Sequence, residues 1–140
     1  MGFRSFFAKP FAKRVVKKHR LSHQNAVERQ DFWLSHHLKK AENTIFGQAF
    51  TFAKIRNYLE FKSIVPIAEY EDLKSYIDEM VKGAENILWP GKPAYFGKTS
   101  GTTSGVKYIP ITKDSMQHHI NAAKTALLCY INETGNADFL

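Results

Sequence analysis

Three patterns place this 140-residue chain in the α/β class, mainly helical with one short β-hairpin. Apolar residues recur every three to four positions in several stretches, the period of a helix with one covered face. Two extended segments, 94–96 and 107–111, flank a run of glycine and hydroxyl residues, the pattern of a hairpin carrying a loop. The length suits one domain, and a hydrophobic content of 44% is ordinary for a globular chain.

Residues 1–20 form the first expected element, a basic amphipathic helix. They hold Arg4, Lys9, Lys13, Arg14, Lys17, Lys18 and Arg20 with no acidic residue. The other 120 residues hold thirteen charges of each sign, so the net charge of +7 resides in this segment. Phe3, Phe6, Phe7, Phe11 and Val15 recur at helical spacing, with Pro10 placed to start or kink the helix. Arg4, Lys9 and Pro10 interrupt the apolar core that a secretory signal needs, and Phe6 stands where myristoylation needs Ser or Thr. Weak contact of residues 1–20 with an anionic membrane surface stays open. The stronger expectation is that the Phe side packs on the domain while the lysines are solvated. No nucleic-acid partner is expected, because the only aromatics among the cations are those Phe residues.

A second helix is expected over residues 24–41 on the stripe Val27, Leu34, Leu38 and Ala41, with Trp33 and His37 beside it. Gly47 is expected to end that unit. An irregular turn and a short helix carrying Ile55, Tyr58 and Leu59 follow over 50–61, and Val65-Pro66 forces an extended link. Leu73, Ile77, Met80 and Val81 give a helix over 71–81, with Glu71 and Asp72 at its positive end and Gly83 as its stop. Ile87-Leu-Trp-Pro90 reads as an apolar loop or short strand, turning at Pro90-Gly91. Trp89 is expected to fill a gap between helices rather than line a ligand pocket. Thr112 is placed to cap a last helix with the stripe Met116, Ile120, Ala123, Leu127 and Ile131, ended by Gly135. The adjacent pairs His36-His37 and His118-His119 point about 100° apart on a helix, poor geometry for a shared metal. The lone Cys129 excludes an intramolecular disulfide and fits a reducing, cytoplasmic setting. No apolar run approaches the ~18 residues of a membrane span.

The chemistry lies in residues 96–112, Phe-Gly-Lys-Thr-Ser-Gly-Thr-Thr-Ser-Gly-Val-Lys-Tyr-Ile-Pro-Ile-Thr. Gly101 and Gly105 permit positive φ and close backbone approach, so main-chain N–H groups can converge on an anion. Thr99, Ser100, Thr102, Thr103 and Ser104 add hydroxyl donors, and Lys98 and Lys107 add charge. A Walker A loop is excluded, since only three residues separate the glycines, Val106 precedes Lys107, and an extended segment follows where a helix should.

Thr99-Ser-Gly-Thr-Thr-Ser-Gly-Val-Lys107 resembles the T-S-G-T-T-G-x-P-K phosphate loop of adenylate-forming enzymes, with Ser104 standing where the general motif has Gly. The Lys-Tyr-Ile-Pro-Ile-Thr continuation is similar to one branch, the Gretchen Hagen acyl acid amido synthetases, also called the auxin-responsive promoter family. Asn43-Thr-Ile-Phe-Gly47, Phe61-Lys-Ser-Ile-Val-Pro-Ile67, Tyr70-Glu-Asp-Leu-Lys74 and Asn86-Ile-Leu-Trp-Pro-Gly91 match that branch too. The resemblance covers roughly residues 25–130 and implies that residues 21–140 are the incomplete N-terminal part of an adenylate-forming large domain. It implies ATP and Mg²⁺ as cofactors and carboxylic acid and amine substrates; Asp114, Glu133 and Asp138 stand in no motif that would hold a metal, so no metal site is expected from this chain. Thr99, Ser100, Gly101, Thr102, Thr103, Ser104 and Gly105 would hold phosphates, with Lys107 as the catalytic charge and Lys98 a weaker candidate. In that chemistry a carboxylate attacks the α-phosphorus of ATP, pyrophosphate leaves, and an amine then displaces AMP. A non-catalytic module that binds nucleotide or a membrane surface is the alternative. The chain taken alone is not expected to turn over substrate, because only the phosphate clamp is visible in it.

Overall fold

The computed structural model, which describes residues 3–101 and 105–137, is mainly helical with one antiparallel hairpin, the class expected from the sequence. The described residues form α1 (Phe3–Ser22), α2 (Ala26–Ala41), α3 (Ile45–Ala49), a 3-10 turn (Phe52–Lys54), α4 (Tyr58–Ile64), α5 (Tyr70–Val81), β1 (Tyr95–Gly101), β2 (Gly105–Ile111) and α6 (Lys113–Thr134). The two strands make one antiparallel sheet. The chain divides into two compact units, Met1–Val27 with Asp114–Leu140, and Glu28–Lys113.

In the first unit the packing face of α1 is not its Phe side. Ala12 and Val16 are buried, and Ala12 packs with Ile131 and Ala137, flanked by Ala8 and Leu128. Ala8, Ala12 and Val16 share one face at four-residue spacing, and their small side chains allow close approach. Phe7 and Phe11 are 56% and 57% exposed, which corrects the expectation that the aromatic side packs on the domain. Phe3 and Phe6 lie outside the described side chains. Pro10 lies within α1 rather than at its start. The stripe of α6 is likewise rotated from expectation: Ile131 is buried with Leu128 beside it, while Ile120, Ala123 and Leu127 are exposed. Gly135, at φ +67°, ends this helix by donating its N–H to the Ile131 carbonyl at 2.9 Å.

The second unit is built on Leu38, Ala41, Phe52 and Ile55, surrounded by Leu34, Phe46, Phe50, Phe61, Val65 and Trp89. Val27, expected to open the stripe of α2, is exposed, and the covered stripe begins at Leu34. α4 begins at Tyr58 because Asn57 caps it, its Oδ1 accepting the Glu60 N–H at 3.0 Å. Ile55 is therefore a core residue ahead of the helix, and Tyr58 and Leu59 are exposed. The Arg56 N–H, and then its guanidinium, donate to the Glu60 carboxylate and hold that acid below its usual range. Val65, ahead of Pro66, is extended as expected. α5 starts where the Glu69 N–H donates to Asp72 Oδ2 at 2.8 Å, buries Ile77 and Met80, and stops before Gly83 at φ +100°.

Gly47 does not end a helix; it lies inside α3 and is buried. A β-carbon there would stand 2.0 Å from the Ala41 carbonyl oxygen. Thr44, 1% exposed, occupies the same junction. Its hydroxyl donates to the Ala41 carbonyl at 2.7 Å and accepts the Gly47 N–H at 2.9 Å. The N–H groups of Ile45 and Phe46, which have no partner within the helix, donate to the carbonyls of Asn86 and Ile87 at 2.9 and 3.0 Å. Gly47→Ala is expected to cost about 3 kcal/mol or more in thermal unfolding, since backbone blocks the new methyl. Gly83→Ala, with open space around its backbone and only a positive φ to strain it, is expected to cost about 1 kcal/mol. Equal losses at the two glycines would show that the α2–α3 junction has room to yield.

Candidate functional site on the hairpin

Regular pairing reaches further into the expected loop than the sequence pattern indicates. The register pairs Thr99 with Lys107, Ser100 with Val106 and Gly101 with Gly105, so these candidate residues belong to the ladder. Thr102, Thr103 and Ser104, the remaining candidates, lie outside the described residues. Gly105 sits at φ +80°, a conformation that glycine adopts without steric cost.

Side chains alternate across a strand, and cross-strand partners share a face. Tyr95, Gly97 and Thr99 therefore share one face with Ile111, Ile109 and Lys107, while Phe96, Lys98 and Ser100 share the other with Pro110, Tyr108 and Val106. Phe96 and Tyr108 meet edge to face at 6.3 Å on that second face. On the first, a β-carbon at Gly97 would lie 3.7 Å from Ile111 and 3.8 Å from Ile109. The ladder thus brings Thr99 and Lys107 together beside Gly101 and Gly105, and sets Ser100 and Lys98 on the opposite side.

Tyr70, the first residue of α5, braces β2 in two ways. Its hydroxyl accepts the Tyr108 N–H at 2.9 Å, and the Lys107 Nζ lies 5.0 Å from the centre of its ring. The contact positions the ammonium group while leaving its N–H donors available, because a ring face attracts a cation without taking its hydrogen bonds. Sequence reasoning missed this role. Tyr70 falls in register with the apolar stripe of α5, which marks it for packing alone, and no local period marks partners that are 37 and 38 positions away.

Trp89 fills a gap, as expected, by packing on the core of Leu38, Ala41, Phe52 and Ile55. It also lines an apolar cleft of about 360 Å³ with Leu34, Phe46, Phe61 and Leu73, so the two readings are not exclusive. His37 meets its ring at 5.6 Å, and the Lys40 Nζ lies 5.6 Å from the ring centre. Asn86, at φ +56°, closes the following turn, its side chain accepting the Gly91 N–H at 2.7 Å. His36, His37, His118 and His119 are exposed. Among the described residues no group of three or more His, Cys, Asp or Glu could hold a metal ion.

Residues 15–137 match the model of the GH3 family N-terminal domain. The chain belongs to the GH3 family. It is 31% identical over 99 residues to the indole-3-acetic acid-amido synthetase GH3.15 of Arabidopsis thaliana, covering 69% of this chain and 16% of that protein. It is 41% identical over 58 residues to the probable indole-3-acetic acid-amido synthetase GH3.13 of Oryza sativa subsp. japonica, covering 40% of this chain and 12% of that protein. The match thus spans less than a fifth of the length of either relative. This membership bears out the resemblance to the Gretchen Hagen branch, and the structure shows that two of the motifs behind it touch. The stretches 43–47 and 86–91 are joined by the hydrogen bonds of Ile45 and Phe46.

Tyr70→Phe keeps the ring under Lys107 and removes the acceptor for Tyr108. The Tyr108 amide is expected to exchange about fivefold faster, corresponding to about 1 kcal/mol for one such bond. Unchanged exchange would mean that the hairpin holds this edge without α5.

Proposed function

We propose that this chain is the phosphate-holding N-terminal part of an ATP-dependent acyl acid amido synthetase. The enzyme adenylates a carboxylic acid and passes the acyl group to an amine such as an amino acid. The observation that carries the reading is the pairing of Thr99 with Lys107, two rungs from the Gly101–Gly105 pair and on the same face, at the end of a hairpin braced by Tyr70. The names of the two relatives, both amido synthetases acting with an indole acid, support the reaction class.

The residues suit a polyphosphate. Gly105 lets backbone approach an anion, Thr99 offers a hydroxyl, and Lys107 brings a positive charge to the same face. ATP supplies the adenylyl group and the pyrophosphate that leaves. Lys107 would neutralise charge gathering on the departing phosphates, and the backbone of residues 99–105 would hold their oxygens in place. Thr102, Thr103 and Ser104 are proposed as the centre of that hold. Mg²⁺ would enter on the phosphates, its other ligands coming from the rest of the full-length protein.

ATP–pyrophosphate exchange by the full-length protein tests the assignment. Lys107→Ala is expected to slow exchange about a hundredfold, the scale of one electrostatic donor in a transition state. Lys98→Ala, on the opposite face of the ladder, is expected to slow it far less. A larger loss at Lys98 would put the working face of the hairpin on the other side.

A further inference from the structure

We propose that the outward face of α1 docks the protein on an anionic lipid surface, with the helix lying in the plane of the interface. α1 spends its small side on the first unit. Ala8, Ala12 and Val16 line that inner side, so the aromatic side is turned away.

Phe7, Phe11, Arg14 and Lys18 follow one another at spacings of four, three and four residues, which sets them on a single stripe of the helix. Phe7 and Phe11 are each more than half exposed, and a shallow apolar hollow runs over Phe7, Pro10, Phe11 and Arg14. Lys9, Lys13 and Lys17 are exposed as well, and no acidic residue occurs in the first twenty positions. Arg20 is excluded from this set because it pairs with Glu133 at 2.7 Å.

Two adjacent rings among cations match the boundary of an anionic bilayer, where rings enter the acyl edge and ammonium and guanidinium groups meet lipid phosphates. A nucleic-acid duplex would satisfy the cations and make no demand on the rings, whereas a single strand could stack its bases on them, so single-stranded RNA is the competitor in the test. The rest of the chain carries equal numbers of each charge, so long-range attraction to an anionic surface acts on this helix first. Among the described residues no helix is long and apolar enough to cross a membrane.

Co-sedimentation of the purified protein with vesicles tests the proposal. Vesicles of phosphatidylcholine containing a minor fraction of phosphatidylglycerol are expected to bind it at least about tenfold better than phosphatidylcholine alone at about 0.1 M salt. Phe7→Ser with Phe11→Ser, at exposed positions that leave the packed face intact, is expected to lower binding about tenfold. A Phe11→Trp variant should be quenched by brominated acyl chains when bound. Three results would overturn the proposal: no preference for anionic vesicles, full binding by the double Phe variant, or a bound Trp at position 11 that brominated lipid leaves unquenched. Release from vesicles by an equal phosphate concentration of single-stranded RNA would also overturn it, assigning the face to nucleic acid.

Discussion

The carbonyl of Ala41 is the point on which the second unit depends. It accepts the Thr44 hydroxyl and the Thr44 N–H, and it leaves no room for a side chain at residue 47. The chain can therefore turn from α2 into α3 in three residues, with Ala41, Thr44 and Gly47 buried at the junction. That turn aims the first N–H groups of α3 at the carbonyls of Asn86 and Ile87. A buried N–H without a partner costs about 1–3 kcal/mol, so the distant segment is drawn to the helix end by a need that the helix cannot meet itself. Once residues 86–91 are fixed, Trp89 lies on the core, and the chain leaves the Asn86–Gly91 turn a few residues before the hairpin begins. The Ala94 N–H closes the base of that hairpin on the Ile111 carbonyl at 2.8 Å.

The hairpin is thus held at its base and along β2, and its far end carries the glycines, hydroxyls and Lys107. A two-stranded ribbon is marginal by itself, so its bracing by Tyr70 bears on function as well as stability. The same contact that satisfies the edge of β2 sets the ammonium of Lys107 over a ring. This links the position of α5 to the position of a charge through one residue. Strand alternation then makes a choice that the run of hydroxyls and lysines leaves open, because Lys107 shares its face with Thr99 while Lys98 and Ser100 face away.

Most helices were legible, because period and capping are local. α5 shows this best: Asp72 and Gly83 mark its ends, and Ile77 and Met80 its buried side. The misreadings share one cause. Gly47 has the character of a helix stop in sequence, yet it is required by the backbone oxygen of another helix. In α1 the large aromatics look like the packing side, but a close helix contact takes the small Ala8 and Ala12 and leaves Phe7 and Phe11 outside. The stripe of α6 is displaced for the same reason, since its neighbours select Leu128 and Ile131. For the site, the glycine and hydroxyl pattern marked the hairpin, and the stretch 107–112 with the motifs before it marked the family, while the contacts of Tyr70 could be found only from the fold.

The central claim is that Lys107 and the end of the hairpin hold the leaving phosphates of ATP. A crystal structure of the full-length protein with Mg²⁺ and a non-hydrolysable ATP analogue tests it most directly. The β- and γ-phosphate oxygens should lie within about 3 Å of backbone N–H groups between Thr99 and Gly105 and of the Lys107 ammonium. A nucleotide bound with its phosphates away from the hairpin, or held from the Lys98 face, would contradict it.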